Sequence, residues 1–241
     1  MSFTPQTTEN IKPIMPTYLA IFDLDETLIA ADSASLWNKF IVAKGLAPLS
    51  LLTQEHAMMT AYSKGTLDMD SYMTATLAPL KGKSHHKIQP LIDEFITDII
   101  TPAIYQQALE RIEWHRKRGD HILIISATGE HLVKPIAAVL GVKNVIAIHV
   151  EQHNGIYTGA TTGILSFKEG KVERLKIWLQ QQNHNYNYKG SYGYSDSIND
   201  LPLLNLVNKP FAVNPDPTLA MHAQMKEWTI MNWRHENNIL R

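Results

Sequence analysis

The chain has 241 residues, a net charge of −1 and 44% hydrophobic residues. That length suits one larger domain, or a core carrying a smaller inserted one. Near-neutral charge gives no basic field to hold nucleic acid. The absence of Cys excludes disulfides, thiolate metal sites and cysteine nucleophiles, and suits a reducing, cytoplasmic setting. No apolar run approaches the ~18 residues that a membrane span needs, so no membrane partner is expected.

Residues 1–17 carry no basic patch followed by an apolar block, and read as a loose polar arm rather than a secretory signal. Tyr18 to Phe22 is a short bulky apolar run, which reads as a buried strand. It delivers Asp23 and Asp25 at its carboxyl end, where open α/β sheets bind ligands. Ser33 or Ser35 can cap a helix holding Leu36, Trp37, Phe40 and Ile41, ended by Gly45. From Pro48 to Ile100 apolar residues recur at helical spacing, which predicts about four helices broken near Lys64-Gly65 and Lys81-Gly82. The Met and aromatic stripe in this block reads as core packing. His85-His86 reads as solvated loop rather than a metal pair.

Alternation of strands and helices resumes at residue 102. Helices are expected over 102–118, 129–140, 168–182, 202–207 and 218–225, with strands over 122–125, 145–148, 192–194 and 211–213. Asn154-Gly155 is the strongest hairpin signal in the chain. The alternation implies an α/β fold with a doubly wound parallel sheet. The helical block of residues 33–100 interrupts it and reads as a small inserted helical domain, a lid over the strand ends. The core is then 18–32 and 101–241.

Asp23, Asp25, Ser126, Lys171, Asp196 and Asp200 all fall at strand ends or just beyond. Crowded carboxylates repel, and a divalent cation relieves them. Hard oxygen donors without Cys favour Mg²⁺, which binds together with a substrate phosphate. A lysine and a hydroxyl suit the remaining phosphate oxygens. A carboxylate can attack phosphorus and form an aspartyl-phosphate. The inventory points to metal-assisted phosphoryl transfer on a small phosphomonoester.

DLDETL at Asp23, the strand ending in Ser126, the lysine of EGKVERL and YSDSINDLPLL together resemble the four motifs of the haloacid dehalogenase superfamily of phosphatases, in order and spacing. The branch they resemble is the phosphoserine-phosphatase-like one, with a Rossmann-like core and a helical cap. The resemblance implies that Asp23 is the nucleophile and a metal ligand. It makes Asp25 the acid for the leaving alcohol and then the base for water, with its carbonyl on the metal. Thr27, Ser126 and Ala127 would border the phosphate. Lys171 would offset charge, a role for which Lys168 competes. Asp196 and Asp200 would hold the metal, though Asp200 could also cap the helix that follows it.

Asp32 lies nine residues after Asp23, where phosphoserine phosphatases carry a glutamate for the substrate amino group; it can equally be a helix N-cap. Those enzymes use a cap arginine for the substrate carboxylate, and residues 33–100 hold no Arg. The expected substrate is therefore an amino-alcohol phosphate such as histidinol phosphate. Phosphoserine hydrolysis, transfer to another acceptor, or a non-catalytic phospho-ligand module are the alternatives. Oligomeric state is not readable from the sequence.

Overall fold

The computed structural model describes residues 17–63, 66–182 and 189–234. At its centre lies β1 (Leu19–Phe22), all four residues buried. It pairs in parallel with β2 (His121–Gly129) on one side and β5 (Ser191–Ser195) on the other. Outward lie β3 (Asn144–His153) and β4 (Ile156–Thr162) beyond β2, and β6 (Lys209–Val213) and β7 (Thr229–Met231) beyond β5. Among the described residues the order is β4-β3-β2-β1-β5-β6-β7, with β4 antiparallel to its neighbour and the other pairs parallel. Strand order reverses between β1 and β5, which opens a crevice at their carboxyl ends.

Helices cover both faces, so β1 is apolar throughout rather than alternating. Ala20 and Phe22 join one buried cluster; Leu19 and Ile21 join another. On the first face Phe22 stacks on Tyr194 at 4.4 Å and Tyr194 on Phe211 at 4.7 Å. Burial of each such ring contributes about 1.5–3 kcal/mol. The Tyr194 hydroxyl pairs with His115 Nε2 at 2.9 Å, and His115 Nδ1 pairs with Asp120 at 2.8 Å. These buried polar groups are thus satisfied, and burial holds His115 below the usual histidine pKa.

Between β1 and β2 lie α1 (Ser33–Ala43), α2 (Ser50–Ser63), α3 (Met69–Leu77) and α4 (His85–Phe95). Among the described residues of 48–100 there are three α-helices, not four, because Ile96–Ile100 continues α4 as a π turn and Ala78–Leu80 forms only a 3₁₀ turn. The predicted break at Lys64-Gly65 lies outside the described residues, as does the N-terminal arm up to residue 16. Gly82 marks the other break with φ 74°. Asp32, rather than Ser33 or Ser35, caps α1 by accepting from the Ser35 amide at 2.8 Å. His85 and His86 open α4 behind the Ser84 N-cap instead of lying in a loop.

α5 (Gln106–Lys117) precedes β2, and α6 (Glu130–Val139), α7 (Glu169–Gln181), α8 (Leu201–Leu204) and α9 (Pro217–Met225) follow it. α5 starts later than expected because Thr101–Ala103 forms a 3₁₀ turn. Asn154 and Gly155, at φ 51° and 74°, make the predicted hairpin between β3 and β4. The hairpin also reaches the helical segment. Tyr157 donates to the Lys83 carbonyl at 2.9 Å, and Gly82 and His85 donate to the Tyr157 and Gly155 carbonyls, each at 2.8 Å. No described helix is long and apolar enough to cross a membrane.

Candidate active site

The crevice is built from the strand ends inward. The Asp23 amide donates to the Tyr194 carbonyl at 2.9 Å, so the β1–β5 ladder continues into Asp23 and fixes its position. Lys171, 2% exposed on the first turn of α7, sends Nζ to Asp23 Oδ1 and Asp200 Oδ2, both at 2.7 Å. Ser195 at the end of β5 donates to the same Asp200 oxygen at 2.7 Å. Asp200 precedes α8, but its side chain makes no cap bond there. Lys168 sits one turn earlier at φ 49°, with Nζ 5.2 Å from the Phe167 ring centre. Lys171 is therefore the lysine that meets the carboxylates.

α7 can present Lys171 only because position 170 is glycine. A Cβ there would stand 2.0 Å from the Leu165 carbonyl oxygen, a backbone atom that cannot step aside. Gly170→Ala is expected to cost about 3 kcal/mol, at the upper end of overpacking, and to lower activity by displacing Lys171. Urea unfolding and phosphate release on the same preparation check both effects.

Asp25 is held apart from that pair. Its Oδ1 accepts from the Ser33 amide at 2.7 Å, and Oδ2 accepts from Thr128 Oγ1 at 2.9 Å and from Ser126 Oγ at 3.4 Å. Ser126 Oγ in turn accepts from the Thr128 amide, and Ser166 donates to the Ser126 carbonyl. Thr27 donates to Asp196 Oδ1 at 3.0 Å. The Asp216 amide donates to the Asp196 carbonyl at 2.8 Å, and its carboxylate takes the Ile198 amide at 2.7 Å, which fixes the loop after β5.

A cavity of about 200 Å³ opens over these groups. Asp23, Asp25, Ala127, Thr128 and Asp196 form its floor; Asp32, Glu26, Met59, Leu67, Met69 and Tyr72 close over it. Asp32 thus satisfies both expectations, as cap and as cavity wall. Met59, Met69 and Tyr72 revise the core-only reading of the Met and aromatic stripe, since they also face the cavity. Thr128, Ser33, Ser195 and Ser166 were not foreseen. Thr128 and Ser195 stand beside strand-end residues already singled out, and that was their only signal. The Ser33 contact is a backbone amide and has none.

Electrostatics divide the carboxylates. Burial, opposed by Lys171 and reinforced by Asp200 and Asp25, pushes Asp23 up to about 7. Burial raises Asp25 to about 6, with Asp32 adding to the rise and the Ser33 and Thr128 hydrogen bonds opposing it. Burial, then Asp23 and Asp200, lifts Asp196 well above the carboxylate range. Burial disfavours the Lys171 ammonium, but Asp200 and Asp23 outweigh it and keep it charged. One ammonium is shared by Asp23 and Asp200, and Asp196 is raised by both of these carboxylates, so the donor set lacks positive charge and fits a hard divalent cation. The described residues form no preassembled group of three metal-binding side chains. A cation that keeps several of its waters suits such an open set.

A pH dependence follows. Asp23 moves from 3.8 unfolded to about 7 folded. Between these values the unfolded chain loses a proton that the folded chain keeps, so stability of the metal-free protein falls as pH rises from about 4 to 7. The fall is on the order of a few kcal/mol. Denaturation midpoints in chelator across that range test it; a rise with pH would contradict it.

Comparison with known proteins agrees with this geometry. The pattern of the haloacid dehalogenase-like hydrolases matches residues 20–205. A histidinol-phosphatase of Neisseria meningitidis serogroup C is 38% identical, over 90% of this chain and 99% of that protein. A probable phosphatase of Mycobacterium tuberculosis is 31% identical, over 95% of this chain and 79% of its own. A crystal structure of a Bordetella pertussis protein of unknown function superposes with TM-score 0.84 at 34% identity, covering 90% of this chain and 99% of that one. A phospho-aspartyl intermediate analogue of phosphoserine phosphatase has the same fold, with TM-score 0.66 at 18% identity over 92% of this chain and 95% of that one. The chain belongs to the haloacid dehalogenase-like hydrolase family. It is a phosphoric monoester hydrolase, and it shares its fold with phosphoserine phosphatases.

Proposed function

We propose that the enzyme hydrolyses an amino-alcohol phosphate of the histidinol phosphate type through an aspartyl-phosphate on Asp23. The observation that carries the substrate reading is the cavity wall. Five carboxylates, Asp23, Asp25, Glu26, Asp32 and Asp196, line it together with apolar side chains, and no Arg or Lys is among its described lining residues. Buried Glu55 adds further negative charge beside Asp32. With Asp23 and Asp196 turned to the metal, Asp25 to the proton and Glu26 paired with Arg234 at 3.1 Å, Asp32 is the wall carboxylate left to attract an ammonium on the leaving alcohol, while a substrate carboxylate finds no cation on the wall. The relative named a histidinol-phosphatase supports the same reading.

In this mechanism Lys171 holds Asp23 Oδ1, which leaves Oδ2 to attack phosphorus. The bond from phosphorus to the leaving oxygen breaks, and Asp25 gives that oxygen its proton. A carboxyl raised to about 6 retains enough proton near neutral pH to serve, yet ionises readily enough to act next as base. Asp25 then takes a proton from the attacking water, and Asp23 leaves phosphorus as a carboxylate. Thr128 and the Ser33 amide keep Asp25 in place for both steps. Ser126 Oγ, Thr27 Oγ1 and the Ala127 backbone border the phosphoryl oxygens. Asp23, Asp196, Asp200 and the Asp25 carbonyl would hold Mg²⁺, which supplies positive charge to the phosphoryl oxygens. Residues 33–100 serve as the cap that excludes water, and residues 18–32 and 101–241 as the catalytic core.

A panel of phosphate esters assayed with Mg²⁺ tests the substrate reading. At least tenfold higher kcat/KM on histidinol phosphate than on phosphoserine is expected. The reverse preference would overturn it. Chelator is expected to abolish turnover, and Mg²⁺ to restore it.

A further inference from the structure

A second, smaller pocket lies beside the main cavity, between α1, α3 and α6. Trp37, Asn38, Gly129 and His131 line it, and it shares Tyr72 and Thr128 with the main cavity. Five polar atoms here are buried without a hydrogen-bond partner: Trp37 Nε1, Asn38 Nδ2 and Oδ1, and His131 Nδ1 and Nε2. Asn38 is 0% exposed. Native proteins pair nearly all such groups, so their convergence in one place calls for an occupant. The arrangement is also built. A Cβ at position 129 would stand 2.7 Å from His131 Nδ1, so only glycine there admits the imidazole in this position.

The free space is about 10 Å³, enough for one polar heavy atom. That atom can belong to a molecule whose body lies in the main cavity and whose tip passes Tyr72 and Thr128. No charged side chain lines the pocket, so neither a carboxylate nor an ammonium finds a counter-charge. A carboxamide and a neutral imidazole each offer a donor and an acceptor, and an indole offers a donor. Burial holds His131 down to about 4, so it is neutral at working pH.

We propose that the Trp37–Asn38–His131 pocket is a specificity subsite for the neutral hydrogen-bonding tip of the leaving alcohol, such as a distal ring nitrogen of an imidazole. This rests on the amino-alcohol reading of the main cavity. The substrate is then held at three chemically distinct points: phosphate at the strand ends, ammonium at the acidic wall, and a neutral tip at Asn38.

The test compares Asn38→Leu and Trp37→Phe with the wild type on histidinol phosphate and on phosphoethanolamine, which has the amine and phosphate but no ring. Asn38→Leu is expected to raise KM for histidinol phosphate at least tenfold, with kcat within about twofold. Trp37→Phe, losing one donor, is expected to raise it about threefold. For both variants kcat/KM on phosphoethanolamine is expected to stay within about twofold, and Asn38→Leu to keep or raise Tm, because it removes an unpartnered buried amide. Parallel losses on both substrates, or a lowered Tm, would make Asn38 a structural residue and overturn the proposal. Unchanged KM for histidinol phosphate would overturn it too. A wild type that ignores histidinol phosphate refutes the amino-alcohol reading itself, before any variant is compared.

Discussion

Asp23→Asn is expected to lower phosphate release by about 10⁴-fold or more, the scale seen when an enzyme loses its nucleophile. An amide oxygen cannot form the acyl-phosphate, and the two carboxylates nearest in role are already engaged. Asp25 is engaged at both oxygens by Ser33, Thr128 and Ser126, and Asp200 by Lys171 and Ser195. The same change is expected to leave Tm of the metal-free protein equal or higher at pH 8. Asp23 is a buried acid whose ionisation is disfavoured there, and asparagine removes that charge while Lys171 keeps Asp200. Phosphate release and a thermal melt on one preparation check the pair of outcomes. Lost activity together with a lower Tm would place Asp23 in the framework instead.

Lys171→Met is expected to do more damage to the fold than any other single change in the site. Lys171 is buried and bonded to two buried carboxylates at 2.7 Å each. Removing one partner of a buried ion pair typically costs about 3–5 kcal/mol, because the remaining charge is left without compensation. Here two carboxylates would remain. Asp23, which burial pushes up to about 7, takes up a proton in acid, so the loss is expected to be larger at pH 8 than at pH 5. Activity is expected to fall at least 10³-fold, since Asp23 loses the group that orients it. Chemical denaturation at the two pH values checks the sign. An equal loss at both would mean that the cost lies in packing rather than charge.

Much of this site was visible in the chain before any fold was known. β1 stands out because a buried parallel strand must be apolar on both faces, and two acids at its end then have few structural excuses. Lys171 and Asp200 needed the motif order as well. Alone, Lys171 is one lysine on a helix beside Lys168, and Asp200 reads as a helix cap. Only the fold shows that the Asp200 side chain turns away from α8 toward Lys171. Other features leave little trace in residue types. β7 is three residues on an edge, two of them exposed, so no apolar pattern marks it. The link from the β3–β4 hairpin to residues 82–85 runs through backbone amides and carbonyls, which every residue carries. Trp37, Phe40 and Ile41 announced α1 by their stripe, but Asn38 reads as an ordinary polar position on that helix. Its complete burial without a partner is a tertiary fact.

The central claim is that Asp23 becomes covalently phosphorylated during turnover. Acid quenching during steady-state hydrolysis, followed by peptide mass spectrometry, tests it most directly. The account predicts one hydroxylamine-sensitive phosphoryl group on the peptide bearing Asp23, absent in Asp23→Asn. A phosphoryl group on another residue, or turnover with none trapped in wild type and in an Asp25→Asn variant that slows its hydrolysis, would contradict it.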